Sequence, residues 1–193
     1  IDLSALAVDV LAFTGHKGLY GPQGTGGMVL SLRVATEMAA SIQGGTGSRS
    51  DEEFQPGLLP DKFEPGTPNT PGIAGLGAGI RFVLQCGVDE IATHELLLAS
   101  EFAQAARAIP GIRLFGPWET GASAALCAPD RVATVSVGFT SAQADPSRVA
   151  YLLDRDFGIM VRSGLHCAPV AHRTLGTFPA GTLRFSFGWF NTI

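Results

Sequence analysis

Phe13-Thr14-Gly15-His16-Lys17-Gly18-Leu19-Tyr20-Gly21-Pro22 is the stretch from which the fold can be read. An apolar run over residues 6–13 leads into it and reads as a buried strand, and the glycines and proline that follow mark a turn. A lysine therefore sits where a strand gives way to a turn. The ends of strands in α/β sheets are where ligands bind.

An ordinary loop lysine is simply solvated. Two features set Lys17 apart. The chain has only two lysines, Lys17 and Lys62, and otherwise carries its positive charge on arginine. Arginine does not lose its proton at workable pH, whereas a desolvated lysine can act as a base or attack a carbonyl. The neighbours Thr14, His16 and the glycines are small or hydrogen-bonding, and suit close approach of an anionic group. Neither Gly24-Thr25-Gly26 nor Gly75-Leu76-Gly77 completes a dinucleotide fingerprint, and no Gly-Lys-Ser/Thr is present for a nucleotide-binding P-loop.

Thr-Gly-His-Lys followed by Gly-Pro and a glycine-rich strand over residues 24–32 resembles the cofactor-lysine segment of class V aminotransferases, fold-type I enzymes that use pyridoxal phosphate. The resemblance implies an α/β fold in which Lys17 forms the Schiff base with the cofactor and Thr14 and His16 lie at its phosphate. It also implies that the chain is the C-terminal portion of such an enzyme: the end of the large cofactor-binding domain over residues 1–88, and a small α/β domain over residues 89–193 without its last helix. Because the family takes its pyridinium-binding aspartate from before the lysine strand, the isolated 193-residue piece is expected to turn over substrate poorly.

Outward from the turn, residues 6–14 and 26–32 are expected as two strands and 34–42 as a short helix. Residues 44–68 lack periodicity, and a loop of that length is usually functional or mobile. Phe63-Glu64-Pro65-Gly66-Thr67-Pro68-Asn69-Thr70-Pro71 then opens a helix, with Asn69 or Thr70 as cap and Pro71 in the first turn. Ile73, Leu76, Ile80 and Val83 follow at helical spacing, and Gly87 can end it. Gly72, Gly75, Gly77 and Gly79 inside this helix cost roughly 1 kcal/mol each against alanine. A backbone packed close against them is the simplest offset. A capped helix start is unremarkable, and it is also a natural anion site. In the resembling family this segment crosses a dimer interface. The threonine matching Thr67 touches the phosphate of the partner's cofactor, and a glycine near Gly44 belongs to the same crossing. A homodimer is thereby implied.

The remainder alternates helices and strands. An amphipathic helix runs from 89 to 109 and is stopped by Pro110-Gly111. Residues 112–115 and 133–139 read as strands. Asp145-Pro146 caps a further helix that ends at Gly158, and 159–162 and 183–187 read as two more strands. A boundary is placed near residue 88.

The second informative stretch is Val161-Arg162-Ser163-Gly164-Leu165-His166-Cys167-Ala168-Pro169. A free cysteine is ordinarily a small buried hydrophobe, and Cys86 and Cys127 fit that description. Cys167 lies in a Gly/Pro-bounded loop with Arg162 and His166 near in sequence, and adjacent positive charge favours the nucleophilic thiolate. The phrase resembles the reactive-cysteine loop of cysteine desulfurases, the sulfur-mobilising branch of class V, in the short form of the second group. The resemblance implies removal of sulfur from L-cysteine, leaving alanine and a persulfide on Cys167, with a sulfur-acceptor protein as partner. Some members have a second histidine where this chain has Leu165. His172 could stand in for it, though a surface histidine is the simpler expectation. Arg184 alternates with apolar residues along its strand; the plain reading is a surface salt bridge. In the family the arginine ahead of the terminal Asn-Thr binds the substrate carboxylate, a task for a bidentate guanidinium. That role is carried to Arg184, with Arg162 and His166 beside it around the substrate.

Composition sets the outer limits. A chain that is 46% hydrophobic and 16% charged is globular rather than disordered. A net charge of −4 without a basic cluster argues against nucleic acid, and no apolar run has the length of a membrane span. Three scattered cysteines give neither a disulfide framework nor a cysteine-rich zinc site, and suit a reducing cytoplasm. Two alternatives stay open: a class V aminotransferase, lyase or epimerase acting on another amino acid, with Cys167 a bystander, and a truncated chain that only folds or dimerises.

Overall fold

The computed structural model describes residues 3, 5–45, 47–118, 131–141 and 144–193. The chain forms two compact units, Ile1–Cys86 and Gly87–Ile193.

In the first unit, β1 (Val10–Thr14) pairs antiparallel with β2 (Gly26–Leu30), with Val10 opposite Leu30 and Thr14 opposite Gly26. The lysine turn joins them. The first strand is shorter than the apolar run because its partner ends: Ser31 caps α1 (Leu32–Glu37), and its hydroxyl also donates to Asp9 Oδ1 at 2.6 Å. Arg33 closes this corner on Asp9 Oδ2 at 2.7 Å. The helix ends at Glu37, well before residue 42. Lys62 Nζ donates to the Ala35 and Thr36 carbonyls at 2.8 and 3.0 Å, satisfying groups that a longer helix would have bonded internally.

α2 (Thr70–Cys86) begins as expected, with Asn69 Oδ1 accepting from Gly72 N at 3.1 Å. Its glycines answer the sequence's question unequally. A Cβ on Gly79 would meet the Leu19 carbonyl oxygen and lie 2.9 Å from the Tyr20 carbonyl carbon, and one on Gly75 would lie 3.0 Å from Pro22 Cγ. Gly77 meets only Arg81 Nη1, at 3.5 Å. The lysine turn is thus seated on the glycine face of α2. Tyr20 fixes it edge-on to Phe82, at 5.6 Å between ring centres.

The second unit opens with α3 (Val88–Arg107), which has Asp89 and Glu90 in its first turn and Arg107 in its last, matching the helix dipole at both ends. Then come β3 (Ile112–Phe115), β4 (Thr134–Phe139), α4 (Pro146–Phe157), β5 (Arg162–Gly164), α5 (Pro169–Thr174) and β6 (Thr182–Ser186). The sheet is antiparallel in the order β3-β4-β6-β5. Alternation gives it an apolar face: Leu114, Val135, Val137 and Leu183 pack with Ala99, Ala103 and Ala106 of α3. Arg184 and Thr182 project from the opposite face of β6. α4 is bounded as read, with Asp145 Oδ1 accepting from Ser147 N at 3.0 Å and Gly158 left-handed at its end. β5 starts at Arg162 rather than 159, because its register places Arg162 opposite Arg184 and leaves residues 159–161 beyond the ladder. α5 has no counterpart in the sequence reading; six residues are too few to show a period. No single helix among the described residues is long and apolar enough to cross a membrane.

Candidate active site

The first unit holds two of the sequence-predicted groups. Thr14 ends β1, and His16 and Lys17 follow in the turn, all three exposed. The turn is closed by Gly15 N to Thr25 O, Gly21 N to Gly15 O and Tyr20 N to Lys17 O, each at 2.9 Å. Gly15 and Gly21 are forced by packing, since a Cβ there would fall within about 3 Å of Leu76. The two lysines have different environments. Lys62 is spent on the carbonyls of α1, whereas no hydrogen bond or ion pair joins Lys17 Nζ to a described residue.

The other group is the long loop. Gly66 N donates to Gly45 O at 2.8 Å, so the segment bearing Gly44 lies beside the segment bearing Thr67, just ahead of α2. Gly45, Gly47, Ser50, Gly66 and Thr67 line one shallow depression. Glycine backbone and two hydroxyl side chains line this hollow, a lining that suits an oxyanion.

In the second unit, Arg162, His166, Cys167 and Arg184 converge. Arg162 Nη2 donates to Cys167 Sγ at 3.6 Å. His166 Nε2 lies 3.0 Å from the Arg162 carbonyl oxygen. A carbonyl only accepts, so Nε2 carries the hydrogen and the neutral ring keeps its lone pair on Nδ1. Burial holds the His166 imidazole below its ordinary value; the positive charges of Arg184, His172 and Arg162 push the same way, and the hydrogen bond to the Arg162 carbonyl opposes them. The thiol is exposed. Its loop is held in an uncommon backbone state, with His166 and Cys167 at φ 51° and 62°. Left-handed geometry costs a non-glycine residue about 1–2 kcal/mol, and such strain concentrates at functional sites.

Arg184 is no surface salt bridge. It has no carboxylate partner among the described residues, its Nε is buried without a hydrogen bond, and it stands opposite Arg162 across the ladder. Thr182 Oγ1, two residues away on the same face, is likewise buried and unpartnered. Two guanidiniums with no carboxylate partner among the described residues form a place for an anion. His172 also departs from expectation: it is only 5% exposed, and its Nδ1 lies 2.7 Å from Thr177 Oγ1. Thr177 escaped the sequence reading, since a threonine in a Gly/Pro-rich loop gives no local signal. Cys86 is half-buried, and Cys127 lies outside the described residues. No group of three or more His, Cys, Asp or Glu among the described residues is placed to hold a metal.

These two sets of side chains can be set against known proteins. The probable cysteine desulfurase of Methanothermobacter thermautotrophicus is 34% identical over 195 residues, covering 100% of this chain and 46% of that protein. The cysteine desulfurase of Klebsiella pneumoniae is 36% identical over 172 residues, 87% of this chain and 38% of its own. Among solved structures, a cysteine desulfurase from Escherichia coli superposes with a TM-score of 0.78 at 30% identity, over 99% of this chain and 44% of that one. The apo cysteine desulfurase from Thermococcus onnurineus NA1 gives 0.73 at 30% identity, over 99% and 45%. The chain thus spans less than half the length of these relatives, and its mixed α/β architecture is the fold-type I architecture of the enzymes it matches. The aminotransferase class-V family profile matches residues 1–193 throughout, and with the lysine turn and thiol loop both in place the chain belongs to that family.

Proposed function

We propose that this chain carries the lysine-bearing and thiol-bearing parts of a pyridoxal-phosphate-dependent cysteine desulfurase, acting on L-cysteine and passing its sulfur to an acceptor protein. The observation that carries the reading is the Arg162 guanidinium donating to the exposed Cys167 sulfur, in a chain whose relatives are named cysteine desulfurases.

The residues present fit the cofactor. Lys17 offers an amine not engaged in any ion pair among the described residues, with Thr14 and His16 beside it to hold a phosphate. In a homodimer, Thr67 and the backbone at Gly44 would reach the phosphate of the partner's cofactor. When bound, pyridoxal phosphate supplies the electron sink for chemistry at the substrate's Cα. Lys17 Nζ would hold the aldehyde carbon and, once exchanged for the substrate amine, take and return the Cα proton. Arg184 orients the substrate carboxylate, which also supplies a counter-charge that no described residue gives the two arginines. Arg162 holds Cys167 Sγ through its guanidinium hydrogen bond, and neutral His166 stands beside it as a proton carrier. The Cys167 sulfur attacks the substrate sulfur: an S–S bond forms, the substrate C–S bond breaks with its electron pair going to carbon, and protonation there gives alanine.

The test is mass spectrometry of the chain after prolonged incubation with excess pyridoxal phosphate and L-cysteine, read as one sulfur transferred per chain rather than as turnover, alongside stoichiometric alanine release. The expected result is a gain of one sulfur on Cys167, absent from Cys167→Ala and Lys17→Ala. Alanine formation undiminished in Cys167→Ala would move the activity to another class V reaction.

A further inference from the structure

We infer that His172 is a positioning residue for the Cys167 thiol, acting through His166; the inference rests on the desulfurase reading and deepens it. His172 lies in α5, the short helix that follows the thiol loop, and is the most buried titratable side chain of that region. It ties three segments together. Its carbonyl accepts from Thr177 N at 2.9 Å and Phe178 N at 3.2 Å, and its Nδ1 meets Thr177 Oγ1 at 2.7 Å, so the ring is fixed at its root and along one edge. The ring also packs beside His166, with ring centres 5.7 Å apart and planes inclined by 48°.

His166 is the next link. Its Nε2 holds the Arg162 carbonyl at 3.0 Å, and the same arginine's Nη2 reaches Cys167 Sγ at 3.6 Å. The chain of contacts runs Thr177, His172, His166, Arg162, Cys167, each member touching the next. Such a brace has a task here, because His166 and Cys167 are both held at positive φ in a loop that would otherwise relax. A side chain 5% exposed behind that loop keeps the imidazole against the Arg162 backbone, and through it keeps the guanidinium on the sulfur. Displacements of this kind, remote from the reacting atom, are felt strongly at it.

The experiment is site-resolved alkylation of the full chain with iodoacetamide at neutral pH, read by peptide mass spectrometry, with Cys86 of the other unit as internal control and thermal melting alongside. His172→Asn places an amide against Thr177 but removes the ring that faces His166. It is expected to slow alkylation of Cys167 by about tenfold or more while Cys86 is unchanged. Thr177→Val leaves the ring but frees its edge, and is expected to slow Cys167 less. The double variant should be no slower than His172→Asn alone, because both act through one contact. If His172→Asn loosens the fold, Thr177→Val carries the same comparison. A Cys167 rate within about twofold of the parent in both variants, with melting retained, overturns the inference. Failure of the desulfurase reading looks different: Cys167 gains no sulfur from L-cysteine even in the unaltered chain.

Discussion

Arg162 is asked to do two opposed things. It stands opposite Arg184 in the β5–β6 ladder, where like charges repel, and it donates to the thiol. Directly opposed like charges cost a sheet about 0.2–1 kcal/mol. Arg162→Ala should therefore leave the unfolding free energy of the chain unchanged or raise it by about that amount, while slowing alkylation of Cys167. Urea titration and peptide alkylation read the two effects separately. A variant that lost both stability and thiol reactivity would show that Arg162 serves packing rather than charge. His166 gives a second prediction at this scale. Its proton affinity is lowered in the folded state, so between the ordinary histidine value of 6.5 and the lower folded value the unfolded chain binds a proton that the folded chain does not. Its contribution to stability is complete above 6.5 and is lost as the pH falls below it. The melting temperature should fall between about pH 7.5 and about pH 5. His166→Gln should make that fall shallower; an unchanged slope would place the acid sensitivity elsewhere.

At the scale of the element, α2 shows how one substitution can take either sign. Glycine to alanine inside a helix gains about 1 kcal/mol from propensity alone. Gly77, which faces little beyond Arg81, should realise most of that gain as Gly77→Ala. At Gly79 the added methyl runs into the Leu19 carbonyl and the Tyr20 backbone. Overpacking of this kind costs about 1–3 kcal/mol and more against backbone, so Gly79→Ala should destabilise on balance. Equal melting temperatures for the two variants would mean the lysine turn does not rest on this helix. The same contacts explain how the turn holds its shape, since a two-stranded hairpin is marginal in water by itself and β1–β2 has α2 behind its connection. The elements legible beforehand were those with local signals: the Asn69 cap of α2, the Asp145 cap and Gly158 stop of α4, and the apolar alternation of β6. Those misjudged were set by partners far away in sequence. Lys62 meets the end of α1 from 26 and 27 residues on, and β5 begins where β6 lets it.

For the molecule as a whole, the proposed homodimer makes a prediction that a self-contained site would not. If Lys17 of one copy and Thr67 of the other serve the same cofactor, then Lys17→Ala and Thr67→Val homodimers are each defective at both sites. A mixed dimer has one site with both side chains intact. Mixing the two variants under conditions that allow subunit exchange should restore bound-cofactor absorbance that neither shows alone. Retention of full cofactor binding by Thr67→Val alone would remove the threonine from the site.

The sequence by itself determined what kinds of groups are present and the local frame of each: an amine at a strand-to-turn junction, a thiol between glycine and proline, and helices with readable caps. These are decided by a residue and its neighbours within a few positions, where steric and hydrogen-bonding preferences act directly. Only the tertiary structure decided that Arg184 stands opposite Arg162 with no carboxylate partner among the described residues, that the guanidinium reaches the sulfur, that buried His172 meets Thr177, and that Gly79 is crowded while Gly77 is not. Strand register and the burial of a particular face come from the simultaneous packing of segments distant in sequence, and no short stretch encodes them on its own.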